Sequence, residues 1–182
     1  MSEKVAVFID GGYLEKINSR KIDFEKLVAQ MIGDNILHRA YYYHCPPYMP
    51  GNPKNEDRER LSKKKNFFQR INSIPRFNVR EGKLRYRGLD RDGNPIFIQK
   101  RVDLMLGLDI ASVVRCQPKI VDQIYLLAGD GDMYPAVVAA KEAQVIVCLA
   151  HGDKNTYDQE LWDIVDERKW LDRTFFDGII KK

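Results

Sequence analysis

Val5 to Ile9 forms an unbroken apolar run that closes on Asp10, and Ile124 to Ala128 forms a second that closes on Gly129-Asp130-Gly131-Asp132. Apolar runs of this length, bounded by turn residues, read as strands buried on both faces. Lys4–Asp10 and Gln123–Ala128 are therefore predicted strands, as is Val145–Ala150. Leu37–His44 is a tyrosine-rich strand, because aromatic residues fit a pleated surface. Apolar residues at helical spacing predict helices over Phe24–Met31, Arg58–Ile74, Asp103–Arg115, Tyr134–Ala143 and Thr156–Arg168. In Arg58–Ile74 the anchors are Leu61, Phe67, Phe68 and Ile71, and Pro75 ends the helix. Cys45–Asn55 contains Pro46, Pro47, Pro50, Gly51 and Pro53 and must be a loop. Phe77–Arg80 is a short strand, and Lys83–Arg87 with Pro95–Gln99 forms a hairpin around the turn-rich Asp90–Asn94.

Strand and helix thus alternate, the pattern of an α/β fold with a mostly parallel sheet and helices on both faces. At 182 residues, with 44% hydrophobic content, the chain fits one globular domain. It shows no internal repeat, low-complexity tract or interdomain linker. Cys45, Cys116 and Cys148 have no CxxC spacing, which disfavours a zinc site and a disulfide scaffold and favours free thiols in a reducing compartment. No run approaches a membrane-spanning length and no signal-like leader opens the sequence. The expectation is a soluble cytoplasmic protein without a membrane partner; a homo-oligomer is left open.

Charge changes the picture more than composition does. Residues 1–53 carry six basic and six acidic side chains, residues 54–101 fifteen against six, and residues 102–182 nine against fourteen. A basic middle beside an acidic end suits a protein acting on a polyanion. A solvated charged helix and hairpin is an equally good account of charge alone. Within the basic middle, Lys63, Lys64, Lys65, Arg85, Arg87, Lys100 and Arg101 are the candidates for nucleic-acid contact.

The chemistry lies at the strand ends. Carboxylates at the carboxyl edge of a parallel sheet point into the crevice where such folds bind ligands. Asp10, Asp130 and Asp132 could there surround one cation, and all-oxygen ligands select Mg²⁺ or Mn²⁺. Each also has a structural alternative: Asp10 as an Asx turn or helix cap, and Asp132 as a cap for the helix near Met133. Asp103 at a helix start is favoured by the helix dipole even without a ligand. Asp109, on an apolar helix, is either a ligand or a structural acceptor. If both were helical, Asp103 and Asp109 would stand about 120° apart and roughly 9 Å along the axis. Gly11 and Gly12 permit close approach but do not form a dinucleotide-binding GxGxxG. His44 and His151 end strands, where histidines are often merely hydrogen-bonded.

Phe8-Ile9-Asp10-Gly11, Lys100-Arg101-Val102-Asp103 continuing to Leu108-Asp109, and Gly129-Asp130-Gly131-Asp132 occur in that order. Together they resemble the NYN domain family, specifically its LabA-like branch, within the PIN-like nuclease superfamily. The resemblance spans about residues 4–150, and Leu161 to Leu171 looks like the family's closing helix and strand. It implies a PIN-like, Rossmann-like three-layer fold with a hairpin insertion, a divalent-metal site and RNA cleavage. It also implies catalytic roles for Asp10, Asp103, Asp130 and Asp132, with Asp109 as a further ligand. The family commonly has asparagine where Tyr13 stands; Tyr13 is either ordinary packing or a platform for a base of single-stranded RNA. The expected reaction is phosphodiester hydrolysis by metal-activated water, with no protein nucleophile. Two other readings remain: an inert RNA-binding or assembly module, and a haloacid-dehalogenase-like phosphatase. Gly12 stands where the second acid of that phosphatase motif would be.

Overall fold

The computed structural model describes residues 2–181. Its centre is a six-stranded, all-parallel sheet of order β3-β2-β1-β6-β7-β8. The strands are β1 (Lys4–Asp10), β2 (Ile36–His44), β3 (Phe77–Glu81), β6 (Gln123–Leu127), β7 (Ile146–His151) and β8 (Glu167–Trp170). Between β3 and β6 the chain makes a separate antiparallel hairpin, β4 (Lys83–Leu89) with β5 (Pro95–Lys100).

The apolar runs alternate between two cores. Val5, Val7 and Ile9 of β1 pack beneath α1 (Gly11–Ile17), α2 (Phe24–Ile32), α3 (Asn55–Asn72) and α7 (Arg173–Asp177), which contribute Leu14, Leu27, Phe68 and Phe176. Ala6 and Phe8 face the other way, against α4 (Val102–Val114), α5 (Tyr134–Glu142) and α6 (Gln159–Ile164), with Leu106, Val137 and Leu161. The tyrosines of β2 divide likewise, Tyr42 into the first core and Tyr41 and Tyr43 into the second. Because side chains alternate along a strand, a fully apolar strand requires such a cover on both faces. The three-layer, PIN-like α/β architecture expected from the sequence is the one observed.

Three elements differ from expectation. α1 follows β1 without a loop, because Asp10 Oδ1 accepts from the backbone N–H groups of Gly12 (2.8 Å) and Tyr13 (3.2 Å) and starts the helix at the glycines. The helix expected over Thr156–Arg168 is shorter: Asp158 caps Gln159–Ile164, and Glu167–Trp170 pairs with β7 as the edge strand β8. The charged Glu-Arg-Lys sequence that read as helical suits an exposed sheet edge, where charge discourages further pairing. α7 was not expected at all.

Topology fixes the functional edge. From β1 the chain first adds β2 and β3 on one side, then returns to place β6, β7 and β8 on the other. The reversal lies between β1 and β6, with Ile9 beside Leu127. Crevices for ligands open at the carboxyl ends of strands flanking such a reversal. Asp10 is the last residue of β1, and Asp130 follows the end of β6 across Ala128 and Gly129.

Candidate active site

Asp10 and Asp130 are built alike. Asp10 caps α1 through Oδ1, and Asp130 Oδ1 accepts from the Asp132 backbone N–H at 3.0 Å, starting the 3₁₀ turn Gly131–Met133. Each carboxylate is thereby oriented by one oxygen. Among the described residues, Oδ2 of both makes no hydrogen bond, and neither do the side chains of Asp103 and Asp132. The capping role expected of Asp132 belongs to Asp130, since α5 has no side-chain cap.

Asp103 senses the other three carboxylates. Burial, followed by the charges of Asp10, Asp130 and Asp132, raises the Asp103 carboxyl above its ordinary pKa. Asp10 is also raised, mainly by burial and slightly by Asp130; the Gly12 and Tyr13 N–H groups and His44 work the other way. Arg101, in the left-handed conformation (φ 75°), turns the hairpin sharply into α4 and puts Asp103 in its first turn. Among the described residues, no three acidic, histidine or cysteine side chains stand close enough to hold an ion as they are. The free oxygens nevertheless fit a hard divalent cation in kind. Asp103 and Asp132 are solvent-exposed and unpaired, so their rotamers can adjust.

Asp109 does not face this crevice group. It accepts from the buried Tyr43 hydroxyl at 2.8 Å and pairs with Arg80 Nε at 2.9 Å. The rotation along α4 that separates it from Asp103 aims the two at different neighbours.

Tyr13 is 5% exposed. Its hydroxyl pairs with Thr156 Oγ1 (3.0 Å) and accepts from the Gly152 N–H (3.1 Å). The ring lies against Gly129, whose missing Cβ leaves it room. Tyr13 is a corner post beneath the site with no free face for a base, which corrects its candidacy as a stacking platform.

The basic candidates separate as well. Lys64 lies inward, 3.1 Å from Glu15 Oε1 and over the rings of Phe67 and Phe68, whereas Lys63 and Lys65 are exposed on α3. Arg85, Arg87, Lys100 and Arg101 are exposed on the hairpin and at its foot.

Sequence reasoning missed several neighbours. Glu15 bonds His44 Nε2 at 3.0 Å as well as Lys64, and these contacts, His44 first, lower its carboxyl to about 2. Asp158 joins the rim, since a Cβ on Gly131 would stand 2.9 Å from its Cγ. Asp10, Asp130, Asp158, Lys16 and Asn155 line an open cavity of about 470 Å³. Only the capping pattern before Leu161 could have singled out Asp158 in the sequence.

A three-layer parallel sheet with carboxylates at its reversal point is consistent with a PIN-like fold. The NYN domain family matches residues 4–167, and the chain belongs to that family. It is also similar to the crystal structure of a protein of unknown function from Vibrio parahaemolyticus, with a TM-score of 0.65, 19% identity and 96% of each chain covered. That likeness concerns the fold. No curated protein matches the chain. Among the described residues, no helix is long and apolar enough to cross a membrane.

Proposed function

We propose that this chain is a cytoplasmic, divalent-metal-dependent ribonuclease of the LabA-like branch. It hydrolyses phosphodiester bonds of single-stranded RNA at the crevice between β1 and β6. The observation that carries this reading is the placement of Asp10 and Asp130 beside the reversal between β1 and β6, each held by one oxygen with the other uncommitted. Carboxylates gathered at a sheet's reversal point repel one another, and a bound cation relieves that repulsion.

Asp10 and Asp130 would hold Mg²⁺ or Mn²⁺ through their uncommitted oxygens, with Asp103 and Asp132 completing the set. Such an ion supplies Lewis acidity, lowering the pKa of a bound water and offsetting charge on the leaving oxygen. The chain's own contribution is positional. Helix-start N–H groups fix Asp10 and Asp130, and the Tyr13 post holds the segment around Gly152 and Thr156 against Gly129. Lys16, at the cavity wall, and the exposed cations of the hairpin draw phosphates toward a crevice that would otherwise repel them.

The test compares single-stranded RNA, duplex RNA, DNA and a phosphomonoester with Mg²⁺, with Mn²⁺ and with excess EDTA. Wild-type protein cleaves single-stranded RNA only with metal, and Asp10→Asn and Asp130→Asn fold normally but lose most of that activity. Cleavage in excess EDTA, or full metal-dependent activity in both variants, overturns the proposal. RNA binding without cleavage under any metal selects the inert binding module.

A further inference from the structure

The β4–β5 hairpin carries an exposed aromatic cluster that nothing in the proposed chemistry uses. Tyr86 pairs with Phe97 across the ribbon, so their rings share a face, with centroids 6.0 Å apart. Tyr48, from the proline-rich loop, joins them at 5.3 Å from Phe97 and 6.1 Å from Tyr86. Tyr86 and Phe97 remain 44% and 41% exposed, so the cluster is no buried core.

The same face leads to the carboxylates. Leu84 pairs with Gln99 one step along the aromatic face, and a Cβ on Gly12 would lie 3.1 Å from Gln99 Nε2 and 3.3 Å from Asp10 Oδ1. Phe97 is two strand residues from Gln99, about 7 Å. The opposite face carries Lys83, Arg85 and Lys100, and residues 83–101 hold six basic against two acidic side chains. An isolated ribbon keeps those cations within about a Debye length, ~8–10 Å, of the aromatic face.

We infer that Tyr48, Tyr86 and Phe97 form a stacking platform for the bases of single-stranded nucleic acid, guiding the strand along Gln99 to the carboxylates. The inference rests on the reading of the crevice as a polynucleotide site. Aromatic faces backed by cations suit unpaired bases with flanking phosphates. A duplex keeps its base faces stacked internally and cannot use the platform. Stacking does not read the sugar, so RNA and DNA single strands both engage it.

The test is fluorescence anisotropy of a labelled oligouridine in EDTA, in an Asp130→Asn background, so that no cleavage intervenes. Tyr86→Ala and Phe97→Ala each weaken binding at least about fivefold, the low end for one stacked base. The slope of log K against log salt is unchanged because no phosphate contact is lost, and Phe97→Tyr restores affinity. Thermal transitions of the variants, read by circular dichroism, stay close to the parent's. Affinity unchanged within about twofold overturns the platform, as does an equal loss on blunt duplex RNA. Conversion of a dimer to a monomer in sedimentation, with oligouridine affinity intact, assigns the patch to self-association and also overturns it. If binding behaves as expected but wild-type protein cleaves no RNA with either metal, the platform stands and the nuclease reading fails.

Discussion

A Cβ on Gly129 would sit 2.3 Å from Cε2 of Tyr13 and 2.6 Å from the Thr156 carbonyl oxygen. Backbone and a buried ring cannot both give way, so Gly129 is fixed by packing. Gly129→Ala should destabilise the fold by about 1–3 kcal/mol, as overpacking does. Tyr13→Phe keeps the ring but removes the acceptor of the Gly152 N–H, at a cost of about 1–2 kcal/mol. Urea melts check both. A Gly129→Ala protein as stable as the parent would show that the corner is loose and that Tyr13 is not its post.

Glu15 supplies the pH dependence. His44, and then Lys64, hold its carboxyl at about 2 against an ordinary 4.5. A lowered folded-state pKa stabilises above the unfolded value and is lost as pH falls through the folded one. The contribution of Glu15 is therefore complete above about pH 5 and fades between 4.5 and 2. Its side chain is 60% exposed, so solvent screening limits the gain to less than about 1 kcal/mol. Glu15→Gln should be slightly less stable than the parent at pH 7 and equal to it near pH 2. A difference independent of pH would remove the ion pairs as its cause.

Asp103 behaves in the opposite sense. Partial desolvation of its otherwise exposed side chain and three acidic neighbours raise its pKa, so its charged form opposes folding, and the penalty grows as pH rises through the carboxyl range. Asp103→Asn should raise the melting temperature in EDTA at pH 7, with the gain vanishing toward pH 3. Mg²⁺ should stabilise the parent by mass action and the variant less. A scanning melt with and without Mg²⁺ decides this, and an equal shift in both proteins would remove Asp103 from the ligand set.

What was legible in the sequence was whatever depended on neighbours along the chain. β1 and β6 are continuous apolar runs because both faces are covered, and their last residues mark the sheet edge. From there the α/β layering followed, and with it the placement of Asp10 and Asp130 beside the reversal. Gly11 and Gly12 concealed α1, since two glycines in sequence read as a turn until the Asp10 cap is seen. In β8, Glu-Arg-Lys-Trp lacks the alternation that half-burial imposes, so the residue pattern read as helix and only the family resemblance over Leu161 to Leu171 pointed to a closing strand.

Contacts distant in sequence were not legible. The role of Tyr13 depends on Gly129, Gly152 and Thr156, more than a hundred residues away. The Glu15–His44–Lys64 cluster joins α1, β2 and α3, which no motif spacing connects.

Asp109 is the sharpest discriminator between a ligand and a structural acid on one helix. Its carboxylate accepts from the buried Tyr43 hydroxyl and pairs with Arg80, while Asp103, six residues earlier, makes neither contact and feels the charges of the other acids. Asp109→Asn keeps the size of the side chain but weakens two charge-assisted contacts, at a cost of about 1–3 kcal/mol. Arg80→Ala should cost less, because its guanidinium is half in solvent and the Tyr43 hydroxyl still bonds the carboxylate. Both variants should retain metal-dependent cleavage at temperatures where they are folded. Urea melts run beside cleavage assays separate the outcomes: lowered stability with activity intact marks Asp109 as a strut between α4, β2 and β3. Lost activity with an unchanged melt would instead place it in the site.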